Sequence, residues 1–132
     1  MAFSVKRIGT ILAVEDVSRS VAFYTGSFGF AVEALFDAPA YAILVLDGVR
    51  LSLAEQGHPA SDLAGYVMTV PADPSKVGAA LVLDVDDAMA VHAELAAAGV
   101  PFASEPYSPP WGGCRFFARD PDGFLIEVEQ AA

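Results

Sequence analysis

Glu127 sits in the middle of an otherwise apolar stretch, Phe124-Leu-Ile-Glu-Val-Glu129, directly behind the turn sequence Arg119-Asp-Pro-Asp-Gly123. A carboxylate in that place has four possible duties: to ligate a metal, to move a proton, to meet a cationic ligand, or to remain in solvent. Other residues able to do chemistry are few: one cysteine, Cys114, two histidines, His58 and His92, and one tryptophan, Trp111. A single cysteine forms neither an internal disulfide nor a thiolate cluster, which excludes zinc sites built on sulfur. No histidine lies near Cys114 in sequence to activate it, so it reads as a small strand side chain. His58 stands beside Pro59 in a polar connection and reads as a solvated loop residue, and His92 as a half-buried residue of a helical stretch. No glycine pattern of the phosphate-cradling or dinucleotide type is present.

Trp111 falls between Pro109-Pro110 and Gly112-Gly113, a loop whose backbone can approach a ligand closely. Its indole offers a wide stacking face and one N–H donor, and the alternative is that it seals a sheet edge. Tyr41, Tyr66, Phe102 and Tyr107 are candidates to line the same cavity, with core packing as the alternative for each. Arg115 either fixes a carboxylate or phosphate of a ligand or pairs with Glu127 or Glu129. If it pairs, Glu127 is structural. If Glu127 is buried without a cation, its pKa should rise and it becomes a weak candidate for proton transfer.

The 132 residues amount to one ordinary domain or two fused half-domains. Seven basic against seventeen acidic residues give a net charge of −10 and a pI near 4.3. That field repels phosphate backbones and argues against nucleic acid as a partner. It would attract a cation, although surplus acid also keeps an apolar chain soluble. No apolar run is long enough to cross a bilayer, and the start of the chain lacks an export signal, so a cytoplasmic protein without a membrane partner is expected.

Laid on itself with a shift of roughly 70 to 75 residues, the chain repeats. The run "IGTILAV" (8–14) leads to Glu15-Asp16, the helical stretch "VSRSVAFYTGSF" and Gly29. The run "AALVLDV" (79–85) leads to Asp86-Asp87, "AMAVHAELAAA" and Gly99. Asp16 and Asp86 or Asp87 are N-cap residues, and the glycines are left-handed stops. Val17, Val21, Tyr24 and Phe28, and likewise Ala88, Val91, Leu95 and Ala98, recur at helical spacing. Further strands are predicted over 30–36, 40–46, 101–105 and 114–119, and the stretches "DGVRLSLAE" (47–55) and "DGFLIEVEQ" (122–130) each place a strand behind an Asp-Gly turn. The expectation is an α+β fold of two tandem βαβββ modules, residues 1–55 and 79–132, joined by a connection over 56–78. In it a curved mixed sheet carries its helices outside and a ligand cavity on its concave face.

Period-two alternation assigns the strand faces. Phe124, Ile126 and Val128 pack under the helices, which turns Leu125, Glu127 and Glu129 to the concave side. In the first module Val49, Leu51 and Leu53 pack under the helices, and Arg50, Ser52 and Ala54 face the other way. Ser52 is the counterpart of Glu127, and Gly9 of Ala80.

The paired modules, with "VEDVSRSVAFYTGSFGF" after the first strand and "DPDGFLIEVEQ" near the end, resemble the vicinal oxygen chelate superfamily, which includes glyoxalases, extradiol dioxygenases and bleomycin-resistance proteins. In its enzymes the opening and closing strands of each module supply the ligands of a divalent metal. Those positions correspond to Gly9, Ser52, Ala80 and Glu127, of which only Glu127 can ligate well. No metal and no other cofactor is therefore expected. "SPPWGGCRFF" resembles the segment that precedes the same turn in bleomycin-resistance proteins. The resemblance implies metal-free binding of a small planar or cationic molecule, a drug or metabolite, by a homodimer. Ligand contacts would come from Glu127, Trp111, Arg115, Tyr41, Tyr66, Phe102, Tyr107 and Ser52. The alternatives are a metal-dependent glyoxalase-like or dioxygenase-like enzyme, a metal-free isomerase or lyase using Glu127, and an interaction module.

Overall fold

Two aspartates start the two helices. The structure, a computed structural model, describes residues 2–132. The Asp16 carboxylate accepts from the Arg19 N–H and opens α1 (Val17–Phe28), which ends at Gly29 with φ 77°. The Asp87 carboxylate accepts from the Ala90 N–H and opens α2 (Ala88–Ala97), and Gly99 follows its end with φ 79°. Each cap satisfies a backbone donor that the first turn leaves without a partner, and each glycine takes a left-handed conformation that side-chain-bearing residues avoid.

The chain divides into two compact units, residues 1–70 and 71–132. In the first, β1 (Gly9–Val14), β2 (Ala31–Asp37), β3 (Ala40–Leu46) and β4 (Val49–Glu55) form a mixed sheet in the order β1-β4-β3-β2. α1 carries the chain from β1 to β2 at the far edge of the sheet, and the tight antiparallel connections β2–β3 and β3–β4 then bring β4 back beside β1 and parallel to it. In the second unit β5 (Ala80–Asp84), β6 (Cys114–Arg119) and β7 (Leu125–Gln130) form a sheet in the order β5-β7-β6, again with the opening strand parallel to the closing one. The architecture is α+β with two tandem modules of the predicted kind.

The alternation in each closing strand sets the core. Leu51 and Leu53 of β4 are buried with Leu12, Leu44 and Tyr24 on the side of the sheet covered by α1. Ile126 and Val128 of β7 are buried with Phe116, Ala118 and Leu95 under α2.

The second strand of the second module departs from expectation. Residues 101–105 form no continuous strand, only the isolated bridge Phe102–Ala118, followed by Tyr107–Arg115. The cause is local: Pro101 and Pro106 have no N–H to donate. Between them the Ala103 and Ser104 N–H groups both turn to one acceptor, the Phe117 carbonyl, and the Ser104 hydroxyl accepts from the Phe117 N–H. The first part of the connection closes on itself. The Gly57 N–H donates to the Met68 carbonyl and the Val70 N–H to the Gln56 side-chain oxygen, so residues 56–70 fold back on themselves within the first unit.

The turn in front of β7 is built around Asp120, which is 3% exposed. One of its carboxylate oxygens accepts from the N–H groups of Asp122 and Phe124, both at 2.9 Å. Asp120→Ala strips two part-buried donors of a charged acceptor and should lower unfolding stability by about 2 kcal/mol. Urea denaturation measures this. A loss well below ~0.5 kcal/mol would show that the turn holds without the carboxylate.

Candidate functional site

On the first unit, the sheet face turned away from α1 is shaped by a missing side chain. Gly9 lies opposite Arg50 in the β1–β4 register, and Ile11 opposite Ser52. A Cβ on Gly9 would stand 3.1 Å from both the Cβ and the carbonyl oxygen of Arg50 and 3.2 Å from its Cδ. Because that carbon is absent, the Arg50 stem lies against β1, and its Nε donates to the Ser52 hydroxyl at 3.2 Å. Ser52 is 1% exposed, so this contact supplies a partner to a hydroxyl that is out of reach of bulk water.

Beside it, Arg7 grips Glu33 with both terminal nitrogens, at 2.9 and 3.3 Å. The hydrogen bonds from Arg7 hold the Glu33 carboxyl below the ordinary glutamate range, and the charge of Arg50 acts in the same direction. Arg7, Gly9, Thr10, Ile11, Arg50 and Ser52 line a small cavity of about 190 Å³. A larger cleft of about 620 Å³ opens between the first turn of α1 and the β2–β3 hairpin. Its walls include the carboxylates of Glu15, Asp37 and Glu55 and the rings of Phe36 and Tyr41, whose centroids are 6.1 Å apart. A 2.9 Å hydrogen bond from His58 keeps the Glu55 carboxyl below its usual range.

On the second unit, the sheet face turned away from α2 carries Glu127 opposite Phe117, and Glu129 opposite Arg115. The Arg115 guanidinium lies 5.5 Å from the Phe117 ring centroid and 6.0 Å from that of Trp111. Among the described residues it makes no ion pair, so the pairing with Glu127 or Glu129 proposed from sequence does not form. Arg115 instead joins an aromatic cluster, where a guanidinium is attracted to the ring faces. Trp111 is 70% exposed, leaving its indole open to a ligand. Tyr107 exchanges two backbone hydrogen bonds with Arg115 and so borders the same cluster. The Glu127 side chain is half-buried and has no hydrogen-bond partner among the described residues.

The remaining sequence candidates are scattered. Phe102 stacks on His92 at 4.3 Å and meets Phe116 edge-on, which places its ring in the layer beneath α2 and not on the open face. Tyr66 is 68% exposed in the 56–70 connection, and Tyr41 lines the acidic cleft. Ser52 is in place but engaged by Arg50. Arg50 itself escaped the candidate set, and the signal that could have found it was Gly9 opposite a long cation on the parallel neighbour strand.

Residues 6–128 match the family described as the Glyoxalase/Bleomycin resistance protein/Dioxygenase superfamily. The chain belongs to that superfamily. Its fold is similar to that of TnmS3, an antibiotic binding protein from Streptomyces sp. CB03234, at 24% identity and TM-score 0.74 over 100% of this chain and 99% of that one. TioX from Micromonospora sp. ML1 superposes at 22% identity and TM-score 0.77, covering 96% and 98% of the two chains. Lactoylglutathione lyase from Agrobacterium tumefaciens does so at 18% identity and TM-score 0.75, covering 93% and 91%. No curated protein matches the sequence.

The metal positions that the resemblance implies fall at Gly9 and Ser52 in the first unit and at Ala80 and Glu127 in the second, and neither pair by itself offers the three or four donors that a divalent ion needs. Gly9 and Ala80 carry no donor, and the Ser52 oxygen is already accepting from a cation, which leaves the Glu127 carboxylate. Among the described residues no group of three or more His, Cys, Asp and Glu side chains converges as a metal site would require.

The Arg50–Ser52 contact predicts a specific non-additivity. Arg50→Leu leaves the Ser52 hydroxyl buried without a partner and should cost about 1–2 kcal/mol, most of which Arg50→Leu/Ser52→Ala should recover. Chemical denaturation of the two single variants and the double variant measures the coupling. Strictly additive losses would mean that the hydroxyl does not depend on the guanidinium.

Proposed function

We propose that this protein holds a small planar or cationic molecule, a drug or metabolite, without a metal ion and without chemical turnover, as a homodimer in the cytoplasm. The observation that carries the reading is the donor set within each unit: in the first, Gly9 has no side-chain donor and Ser52 is engaged by Arg50, and in the second, Ala80 has no side-chain donor.

What the scaffold keeps is suited to stacking. Trp111 and Phe117 flank the Arg115 guanidinium, and an exposed indole beside a cation gives a planar ligand a wide contact surface. The acidic, aromatic-walled cleft of the first unit and the net charge of −10 suit a ligand bearing a positive charge. A superfamily neighbour described as an antibiotic binding protein supports sequestration, while the neighbouring lactoylglutathione lyase shares the fold alone. For the dimer, exposed Ile8 and Leu35 of the first unit leave apolar surface for a second copy, and light scattering reads the mass directly.

Elemental analysis after incubation with zinc, nickel, manganese and iron should find no stoichiometric metal, and one tightly held ion per chain would overturn the reading. A thermal-shift screen of planar and cationic aromatic compounds should yield a binder. At 100 times its dissociation constant the ligand stabilises by about 2.7 kcal/mol. Trp111→Ala should lose much of that shift, and an unchanged shift would remove Trp111 from the site.

A further inference from the structure

The geometry points to a second site, on the first unit alone, in which Arg50 binds an acidic oxygen group, a carboxylate or phosphate carried on a small apolar or aromatic body. This goes beyond the stacking face of the second unit and does not depend on it. Three observations converge on the 190 Å³ cavity lined by Arg7, Gly9, Thr10, Ile11, Arg50 and Ser52.

The first is that Arg50 is positioned but unspent. Its Nε is tied to the buried Ser52 hydroxyl, and among the described residues its two terminal nitrogens have no partner. A guanidinium anchored through Nε keeps its outer edge free as a planar two-pronged donor, the geometry that matches a carboxylate or phosphate. Anchoring also removes the rotamer entropy that a ligand would otherwise have to overcome.

The second is local charge. Glu33, whose carboxyl also feels the charge of Arg50, is gripped bidentately by Arg7. Arg7, Arg50 and Glu33 together carry a net +1 (two positive charges less one negative) in a chain whose formal charge is −10. A small positive patch within an acidic surface selects anions at that point and repels cations.

The third is space. Gly9 lacks the Cβ that would come within 3.1 Å of Arg50, and Ile11, 47% exposed on the same face opposite Ser52, supplies an apolar wall. The guanidinium thus supplies positive charge on the face where Gly9 and Ser52 offer nothing to a metal ion.

The test is a titration of the ¹⁵N-labelled full chain with benzoate, benzamide and phenyl phosphate in metal-stripped buffer at constant ionic strength, read at the Arg50 Nε–Hε and Gly9 amide resonances. Benzoate or phenyl phosphate should shift both saturably, and the stronger of the two tells carboxylate from phosphate. Neutral benzamide should bind about tenfold or more weaker, the factor one charge-assisted pair contributes. Arg50→Gln should lose the benzoate effect and Arg50→Lys should keep a weakened one. Should Arg50→Gln fail to fold, Ser52→Ala frees the guanidinium while retaining its charge and should also weaken benzoate. Equal responses to benzoate and benzamide, undiminished binding by Arg50→Gln or Ser52→Ala, or no saturable shift up to the solubility limit of both anions would overturn the site. None of these results bears on whether the protein takes up a metal or whether Trp111 binds a ligand, so the two readings fail separately.

Discussion

A guanidinium laid across the space of a missing side chain is the constraint on which the first unit's open face depends. Gly9 exists in that place for room and not for backbone freedom, since a Cβ there would press on the Arg50 stem. Once the stem lies flat, its Nε reaches Ser52 and converts a buried hydroxyl from a potential ligand into an acceptor already in use. An ion needing three or four oxygen or nitrogen donors then finds no available side-chain donor at Gly9 or Ser52. The positive charge that a metal would have supplied is supplied by the chain.

Both units divide labour between two sheet faces in the same way. One face is closed by a helix and filled with Leu, Val, Ile and Phe side chains, and its burial supplies the cohesion of the unit. The other face carries the polar and aromatic groups, and there the units differ. The first presents an anchored arginine beside an Arg7–Glu33 pair. The second presents an arginine among rings, with Trp111 exposed above it. Two halves with one topology therefore offer different chemistry, which is how a single scaffold within this superfamily can serve unrelated ligands.

Features set by short-range rules could be read from the sequence. Asp16, Asp87, Gly29 and Gly99 bound their helices because capping and left-handed termination depend on a few adjacent residues. The burial of Ile126 and Val128 followed from alternation alone. Features set by side-chain reach could not. Register places Arg115 opposite Glu129, yet its long side chain turns to Phe117 and Trp111, and no sequence period encodes that choice. Arg50 was hidden for the same reason, since its role arises from a strand neighbour forty-one positions away, the separation of residues 9 and 50. The interruption at 101–105 does have a local signal, since Pro101 and Pro106, which lack an N–H, bracket the stretch.

The most direct test of the held guanidinium is the ¹⁵N relaxation of the Arg50 Nε–Hε group in the ligand-free protein. Anchoring to Ser52 predicts an order parameter near that of rigid backbone, about 0.8 or higher. A value below about 0.6, typical of a side chain moving freely in solvent, would contradict it.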